Sequence, residues 1–528
     1  MTVAALSAPR WRRALPAAPL IAAVVATVAI WIAHPALGDL QAAIAREQAA
    51  ESGVGLGYWF SWYGGLAPGS YSLIVPTLSS WFGSLTLLCL STILVAAAAY
   101  PLSRGGTHPA LLSWTVAIAA VLNLMSGRVT FAVGALIAIV GLLALQRGMT
   151  GVALVLVAVS GLASPLAPAF VGLVTVPFAA GHSPRARVAW QVLIGAALGV
   201  LIPFVLFGAP GAQGFPATTL FWVILIGVCA AFVLTDSPVR WIMPLALASA
   251  LVIFAIPNGV GSNLARFFCL IVPALCFQFS RRSWKVILIA LIPAIVYASF
   301  VAIADQVAVA NADGSDEAYQ PLRTELLTKP DLMNNRVELV DAGTHAGSHA
   351  LGDRVQLARG WENQSDNEYN EIFYAKNALT AESYRDWLAD NSVAYIAVAD
   401  EPLRQNKAEA ALAKSGLPYL SEVWHNDDWV LYRVADPKPI VPAPLKLLEA
   451  TPRQVTMYVP DTASHLLKYR WGRYLVARSS TDNSVAACIT KTPDGWITLR
   501  ALMPGNYTLS GQVTLPGVLS EQPSGCNK

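Results

Sequence analysis

The chain has 528 residues, 55% hydrophobic and 13% charged, with a formal net charge of +3. Soluble globular domains carry roughly 25% charged residues, so this composition excludes a soluble protein and assigns the chain to a bilayer. The near-neutral total conceals two halves: residues 1–300 hold 14 Lys and Arg against 4 Asp and Glu, and the remainder 21 against 28. A basic apolar half therefore precedes an acidic water-soluble one, and no nucleic-acid partner is indicated.

The first apolar segment, 15–33, follows Arg10, Arg12 and Arg13. No small-residue cleavage site stands before Asp39, so the segment reads as a retained signal anchor. A helix crosses the hydrocarbon core with about 20 apolar residues. On that criterion ten further spans are expected near 85–102, 110–127, 129–146, 149–165, 166–181, 190–208, 219–235, 241–257, 266–280 and 286–304, about eleven in all. The short pair after 149 reads as separate spans or as a broken or re-entrant helix. With a cytoplasmic N-terminus, Arg104, Arg147, Arg185, Arg187, Arg240, Arg281, Arg282 and Lys285 all fall inside, as the positive-inside rule expects. The loop 34–82 and everything after residue 305 then lie outside. Arg128 and Arg266 remain on the outer side against the rule.

The first external loop gathers three of the four acidic residues found before residue 300: Asp39, Glu47 and Glu51. It continues into Tyr58-Trp59-Phe60-Ser61-Trp62-Tyr63-Gly64-Gly65, then Pro68-Gly69-Ser70-Tyr71. An acidic residue at the membrane surface suits proton abstraction from a sugar hydroxyl. The same Asp39 also suits the N-cap of a helix beginning at Leu40. Arg128 and Arg266 stand at outer ends of spans, and a guanidinium fork binds phosphate oxygens in pairs; Asn263 shares the Arg266 loop and is grouped with them. Snorkelling toward headgroups is the competing reading. Trp59, Trp62, Tyr63 and Tyr71 can stack on sugar faces or anchor the chain at the interface, and His34 is a further hydrogen-bonding candidate.

In the tail, 336–340, 393–398 and 429–434 read as strands and 381–390 and 405–415 as helices, giving a small α/β module. After the Pro-rich stretch 436–444, short strands separated by turns such as Thr492-Pro493-Asp494-Gly495 suggest a β-sandwich. Cys488 and Cys526 are the only cysteines there, and in an oxidising compartment they can pair. His345 and His349 lack a suitably spaced carboxylate, so no metal is indicated. The expected division is 1–304, 305–436 and 437–528.

This pattern resembles the GT-C superfamily of multi-span glycosyltransferases, through the topology of the membrane half, Asp39 in a long first external loop, and the outer Arg128. The stretches Ser126-Gly127-Arg128-Val129-Thr130-Phe131 and Ala358-Arg359-Gly360-Trp361-Glu362 are also similar to integral membrane proteins of high-GC Gram-positive bacteria. The resemblance implies a multi-pass helical cell-membrane enzyme with extracytoplasmic C-terminal domains. It implies transfer of a sugar from a polyprenyl-phosphate donor to an envelope glycan or glycolipid, with no cofactor beyond that lipid-linked donor. Asp39 would be the general base, and Arg128 and Arg266 would face the phosphate. The family often shows paired acids in this loop, whereas Leu40 follows Asp39 here, so Glu47 and Glu51 stay open as bases. A transporter or flippase, and a non-catalytic envelope scaffold, are the alternatives; a transporter is expected to show repeats and ionisable residues within its spans, and this chain has no repeat and almost no such residue.

Overall fold

The structure is a computed structural model, describing residues 17–35, 37–208, 211–309, 314–342, 344–400, 406–482, 485–519 and 526. Arg10, Arg12 and Arg13, the start of the segment 15–33, and Ala36 lie outside the described residues. The chain divides into two units. One comprises Met1–Leu40, Phe82–Val205 and Ala212–Gln306; the other comprises Gln41–Trp81, Leu206–Gly211 and Val307–Lys528.

The first unit is helical. Its helices are α1 (Ala18–Ala33), the first turn of α2 (Gly38–Glu51), the end of α3 (Val75–Phe82), then α4 (Ser84–Ser103), α5 (Pro109–Met125), α6 (Val129–Gln146), α7 (Thr150–Ala163) and α8 (Leu166–Thr175). There follow α9 (Pro184–Phe207), α10 (Ala217–Ala231), α11 (Ile242–Ala255), α12 (Val272–Phe279) and α13 (Trp284–Val309). These coincide closely with the expected apolar segments, but the expected count of about eleven spans is not borne out. Among the described residues five helices are long and apolar enough to cross a membrane, or six if the bent pair α1 and α2 is one span. Five other apolar helices have only 10–17 residues. At ~1.5 Å per residue they fall short of a hydrocarbon layer about 30 Å thick.

Without water to drive association, helices in a membrane rely on close backbone approach at small residues. A Cβ on Gly161 of α7 would stand 1.9 Å from the Gly199 carbonyl oxygen of α9, so any larger residue forces these helices apart. Phe131, Phe170, Phe267 and Phe268 fill the core beside Ile226, Met243 and Leu291.

The second unit contains two sheets. β1 (Arg336–Val340) pairs parallel with β2 (Val393–Ala399), and β4 (Trp429–Val434) pairs antiparallel with β2 and with β3 (Leu420–His425), in the order β1-β2-β4-β3. All seven residues of β2 are buried, as expected of a strand covered on both faces. The helix Ala381–Asp390 begins with a capping box between Thr380 and Ser383. The expected β-sandwich is one continuous antiparallel order, β5-β6-β11-β8-β9-β10-β7, running from β5 (Lys446–Ala450) through β6 (Gln454–Val459), β7 (Ser464–Arg470), β8 (Leu475–Ser479), β9 (Ala486–Lys491) and β10 (Trp496–Arg500) to β11 (Gly505–Gly511). Met457, Leu467, Ala477, Ile489, Leu499 and Leu509 share a single core, so the sheet curls over on itself. Cys488 and Cys526 are joined in a disulfide.

Candidate active site

The turn between α5 and α6, Ser126-Gly127-Arg128, is where the candidate residues meet. Gly127 has φ +74°, the left-handed region that glycine enters without steric cost. A Cβ there would stand 2.5 Å from the Leu40 amide nitrogen and 3.1 Å from the Leu37 Cβ. The absence of that Cβ lets the first turn of α2 rest on the α5–α6 turn. α2 begins at Gly38, so Asp39 lies inside its first turn and is not the cap before Leu40. A carboxylate there complements the helix dipole.

From that position Asp39 Oδ2 accepts a hydrogen bond from Arg128 Nε at 2.8 Å, with side-chain exposures of 38% for Asp39 and 21% for Arg128. The pair is neither buried nor freely solvated, so its charges are only partly screened. Arg266, at the turn before Phe267, holds its guanidinium 5.8 Å from the Phe131 ring centre. Phe131 lies three residues beyond Arg128 on the next turn of helix. Asn263 lies half-buried in the 3-10 turn Gly261–Leu264. Cys269 lies within electrostatic reach of both Arg128 and Arg266.

One participant was not singled out from the sequence. Asp305, near the end of α13, lies within electrostatic reach of Arg128, Asp39 and Arg266. Its neighbour Gln306 donates from Nε2 to the Met125 carbonyl at 2.9 Å. In sequence Asp305 marks only where the apolar pattern ends; its position beside Gln306 at the tip of the last long apolar helix is the signal that was available.

The same unit contains an apolar cavity of about 370 Å³, walled by α4, α5, α6, α8 and the segment 270–279. Its lining runs along α6 from Phe131 to Gln146, about 22 Å at helical rise. Asn123 and Phe131 are part of that wall, and Asn123 Nδ2 donates to the Arg128 carbonyl at 3.2 Å.

The other expected site residues have different places. Glu47 and Glu51 lie two and three turns beyond Asp39 on α2, in the second unit, and neither joins the Arg128 pair; Glu51 is exposed. His34 ends α1 in the left-handed region and is exposed, with Nδ1 3.4 Å from the Ile32 carbonyl. Trp59, Trp62 and Tyr63 offer no face to a sugar, because they are buried to 4%, 1% and 1% exposure. They pack with Leu322, Val337 and Leu357 in the core of the α/β module. Tyr58 and Phe60 face the curled sheet instead, so residues 58–60 alternate between two cores. Tyr71 is half-buried under the Arg46 guanidinium, 4.1 Å from its ring centre. Arg46 itself forms a buried ion pair with Glu362 at 3.0 Å. Among the described residues no group of three His, Cys, Asp or Glu side chains is placed to hold a metal ion.

The chain is similar to an arabinofuranosyltransferase of known structure. The cryo-EM structure of arabinofuranosyltransferase AftD from mycobacteria matches with 14% identity and a TM-score of 0.43, over 87% of this chain and 42% of that one. A mutant of AftD gives 12% identity and a TM-score of 0.42, over 98% of this chain and 61% of that chain. The present chain thus spans about two fifths to three fifths of the chains it matches. A likeness at this level says nothing of the chemistry. No family model matches the sequence, and no curated protein matches it.

Proposed function

We propose that the protein is a membrane glycosyltransferase that moves a sugar from a polyprenyl-phosphate donor to a cell-envelope glycan or glycolipid. The observation that carries this reading is the Asp39–Arg128 pair adjoining an apolar cavity through Asn123 and Phe131. A ligand with an anionic head and a long apolar tail matches that combination; a soluble sugar nucleotide would leave the cavity without a counterpart. The tail lies among Val116, Phe170 and Leu270, and the phosphate lies toward Arg128 and Arg266.

In the transfer step the acceptor hydroxyl gives its proton to Asp39, and its oxygen forms the new bond to the anomeric carbon. The bond from that carbon to the phosphate oxygen breaks, and its electron pair leaves with the phosphate. The guanidinium groups offset the charge gathering there. Of the three acids in the first external loop, Asp39 is the base, because it alone lies at the turn that adjoins the apolar chamber. The site faces outside, with a cytoplasmic N-terminus and extracytoplasmic C-terminal modules. The distribution of Lys and Arg and the Cys488–Cys526 disulfide support this orientation.

The test is transfer from a panel of radiolabelled polyprenyl-phosphate pentoses and hexoses by the full chain in nanodiscs, with envelope glycolipid as acceptor. Asp39→Asn is expected to lower turnover by about 10²–10⁴-fold while the thermal unfolding profile stays unchanged. Wild-type turnover in that variant overturns the assignment of the base, and absence of transfer from every donor by the wild type overturns the reading.

A further inference from the structure

We propose that the α/β module carries a second ligand site, a pocket at the carboxyl ends of its parallel strands that takes one residue of a neutral glycan. That this glycan is the acceptor of the transfer step rests on the transferase reading above; the pocket itself does not.

Strand order creates the crevice. The short segment 356–358 runs parallel beside β1, with Val337 N donating to the Gln356 carbonyl and Ala358 N to the Val337 carbonyl, both at 2.9 Å. β2 lies on the other side of β1 and is also parallel. From β1 the chain therefore steps to one neighbour and then returns past β1 to the other. The first connection packs Ala346 and Ala350 with Ala397 and Ala399 on one face of the sheet, and the second packs Trp387 and Leu388 with Ile396 and Val398 on the opposite face. Connections that part in this way leave a gap beyond the strand ends, where open α/β sheets bind their ligands. A pocket of about 50 Å³ lies there. Leu339 and Asp341 line it from the end of β1, Arg359 and Trp361 from the end of 356–358, and Asn406 from the start of the helix Lys407–Ala413 that follows β2.

The lining selects a neutral hydroxylated ligand. Arg359 is committed to Asp366, Glu338 and Glu409, so the guanidinium on the wall has no fork left for a phosphate, and the Asp341 and Asp366 carboxylates repel one. Asp341 accepts three hydrogen bonds, from Tyr319 Oη, Ala342 N and Gly347 N. A carboxylate offers about four lone-pair sites, so Asp341 keeps room for one hydroxyl donor. Ser348 and Asn406, also on the wall, carry groups that both donate and accept, as sugar hydroxyls do.

His345, held at φ +61°, lies flat on Trp361 with ring centres 3.5 Å apart, which gives the pocket a rigid aromatic wall for the apolar edge of a sugar ring. At about 10–15 Å³ for each water-sized group, a pocket of about 50 Å³ admits about three to five such groups, the hydroxyl-bearing edge of one ring. Tyr374, on the same wall, is exposed, so the rest of a glycan continues past it into solvent.

The experiment titrates the full chain in nanodiscs with neutral pentose and hexose oligosaccharides and with their phosphorylated counterparts, followed by ligand-observed NMR. At least one neutral oligosaccharide is expected to bind, and its phosphorylated form to bind at least about tenfold more weakly. Trp361→Ala, which removes the aromatic wall, and Asn406→Leu, which fills the pocket with an apolar group, should each weaken binding by at least about tenfold, the equivalent of about 1.4 kcal/mol. A photoreactive diazirine derivative of the bound oligosaccharide should label the wild type within 339–348 or 359–374, a readout that does not depend on how well a variant folds. Absence of binding by every neutral oligosaccharide, preference for the phosphorylated form, labelling confined to other segments, or unchanged binding in both variants overturns the proposal. Asp39→Asn should bind as the wild type does. Binding that persists while transfer fails with every donor leaves the pocket standing and removes only its link to an acceptor.

Discussion

Arg359 stands among three carboxylates in the α/β module, at 2.8 Å from Asp366, 3.1 Å from Glu409 and 3.4 Å from Glu338. Burial holds Glu338 well above the ordinary carboxyl range, with the Glu409 charge adding to the effect and Arg359 opposing it. Truncating the arginine leaves buried acids without their counter-ion, and Arg359→Ala is expected to cost about 3–5 kcal/mol, read from denaturant unfolding of the full chain in detergent. His349 and Asp341 set opposing pH dependences. Burial lowers His349 to about 4, against about 6.5 in an unfolded chain. Unfolding takes up a proton between those values, so its contribution destabilises the fold as pH falls from about 6.5 to about 4. Burial raises Asp341 to about 6 from 3.8, despite hydrogen bonds from Tyr319, Ala342 and Gly347. There the fold holds the extra proton, and stability is lost as pH rises through that window. His349→Gln keeps a donor for the Gln41 Oε1 that His349 Nε2 meets at 2.6 Å. It should narrow the difference in melting temperature between pH 7.5 and pH 5 in a thermal scan, and an unchanged difference would exclude His349 as a source of the acid loss.

At the scale of elements, the Ser126-Gly127-Arg128 turn sets the place of Asp39. Gly127→Ala puts a methyl group 2.5 Å from the Leu40 nitrogen and at φ +74° as well. The first turn of α2 must shift, and turnover is expected to fall by at least about tenfold, since an error near 1 Å in positioning can cost about 100-fold. Retained turnover would show that α2 tolerates displacement. Apolar run length located nearly every helix, because the pattern is local. Its count of about eleven spans is not confirmed, because run length cannot say where a helix stops: Thr150–Ala163 and Leu166–Thr175 end early. The strands Arg336–Val340 and Trp429–Val434 were legible from their β-branched and aromatic content. Asp39 and Arg128 were legible because each is a rare charge in apolar surroundings. Asp305 was not, since its neighbours in space lie about 180 residues away in sequence. The aromatic run 58–63 misled for a related reason: composition marks Trp59 and Trp62 as large apolar groups but does not reveal which surface covers them.

Across the whole molecule, the loop after α2 draws its core from the end of the chain. Trp62 Nε1 donates to the Ser348 carbonyl, Tyr58 Oη to the Arg470 carbonyl at 2.6 Å, and Leu357 N to the Ser61 carbonyl. A chain ended at residue 304 keeps its apolar helices but loses these partners. Limited proteolysis of that truncated chain in membranes should cut within 41–81, where the full chain resists, and equal resistance would show that the loop folds without the tail. These partners also set a timetable for biosynthesis. Tyr58 precedes Arg470 by 412 residues, so a ribosome adding about 5–20 residues per second leaves the aromatic cluster unsheltered for roughly 20–80 s. Throughout that interval its rings are open to chaperones, proteases and other nascent chains, and the aromatic cluster is closed only after the final strands emerge.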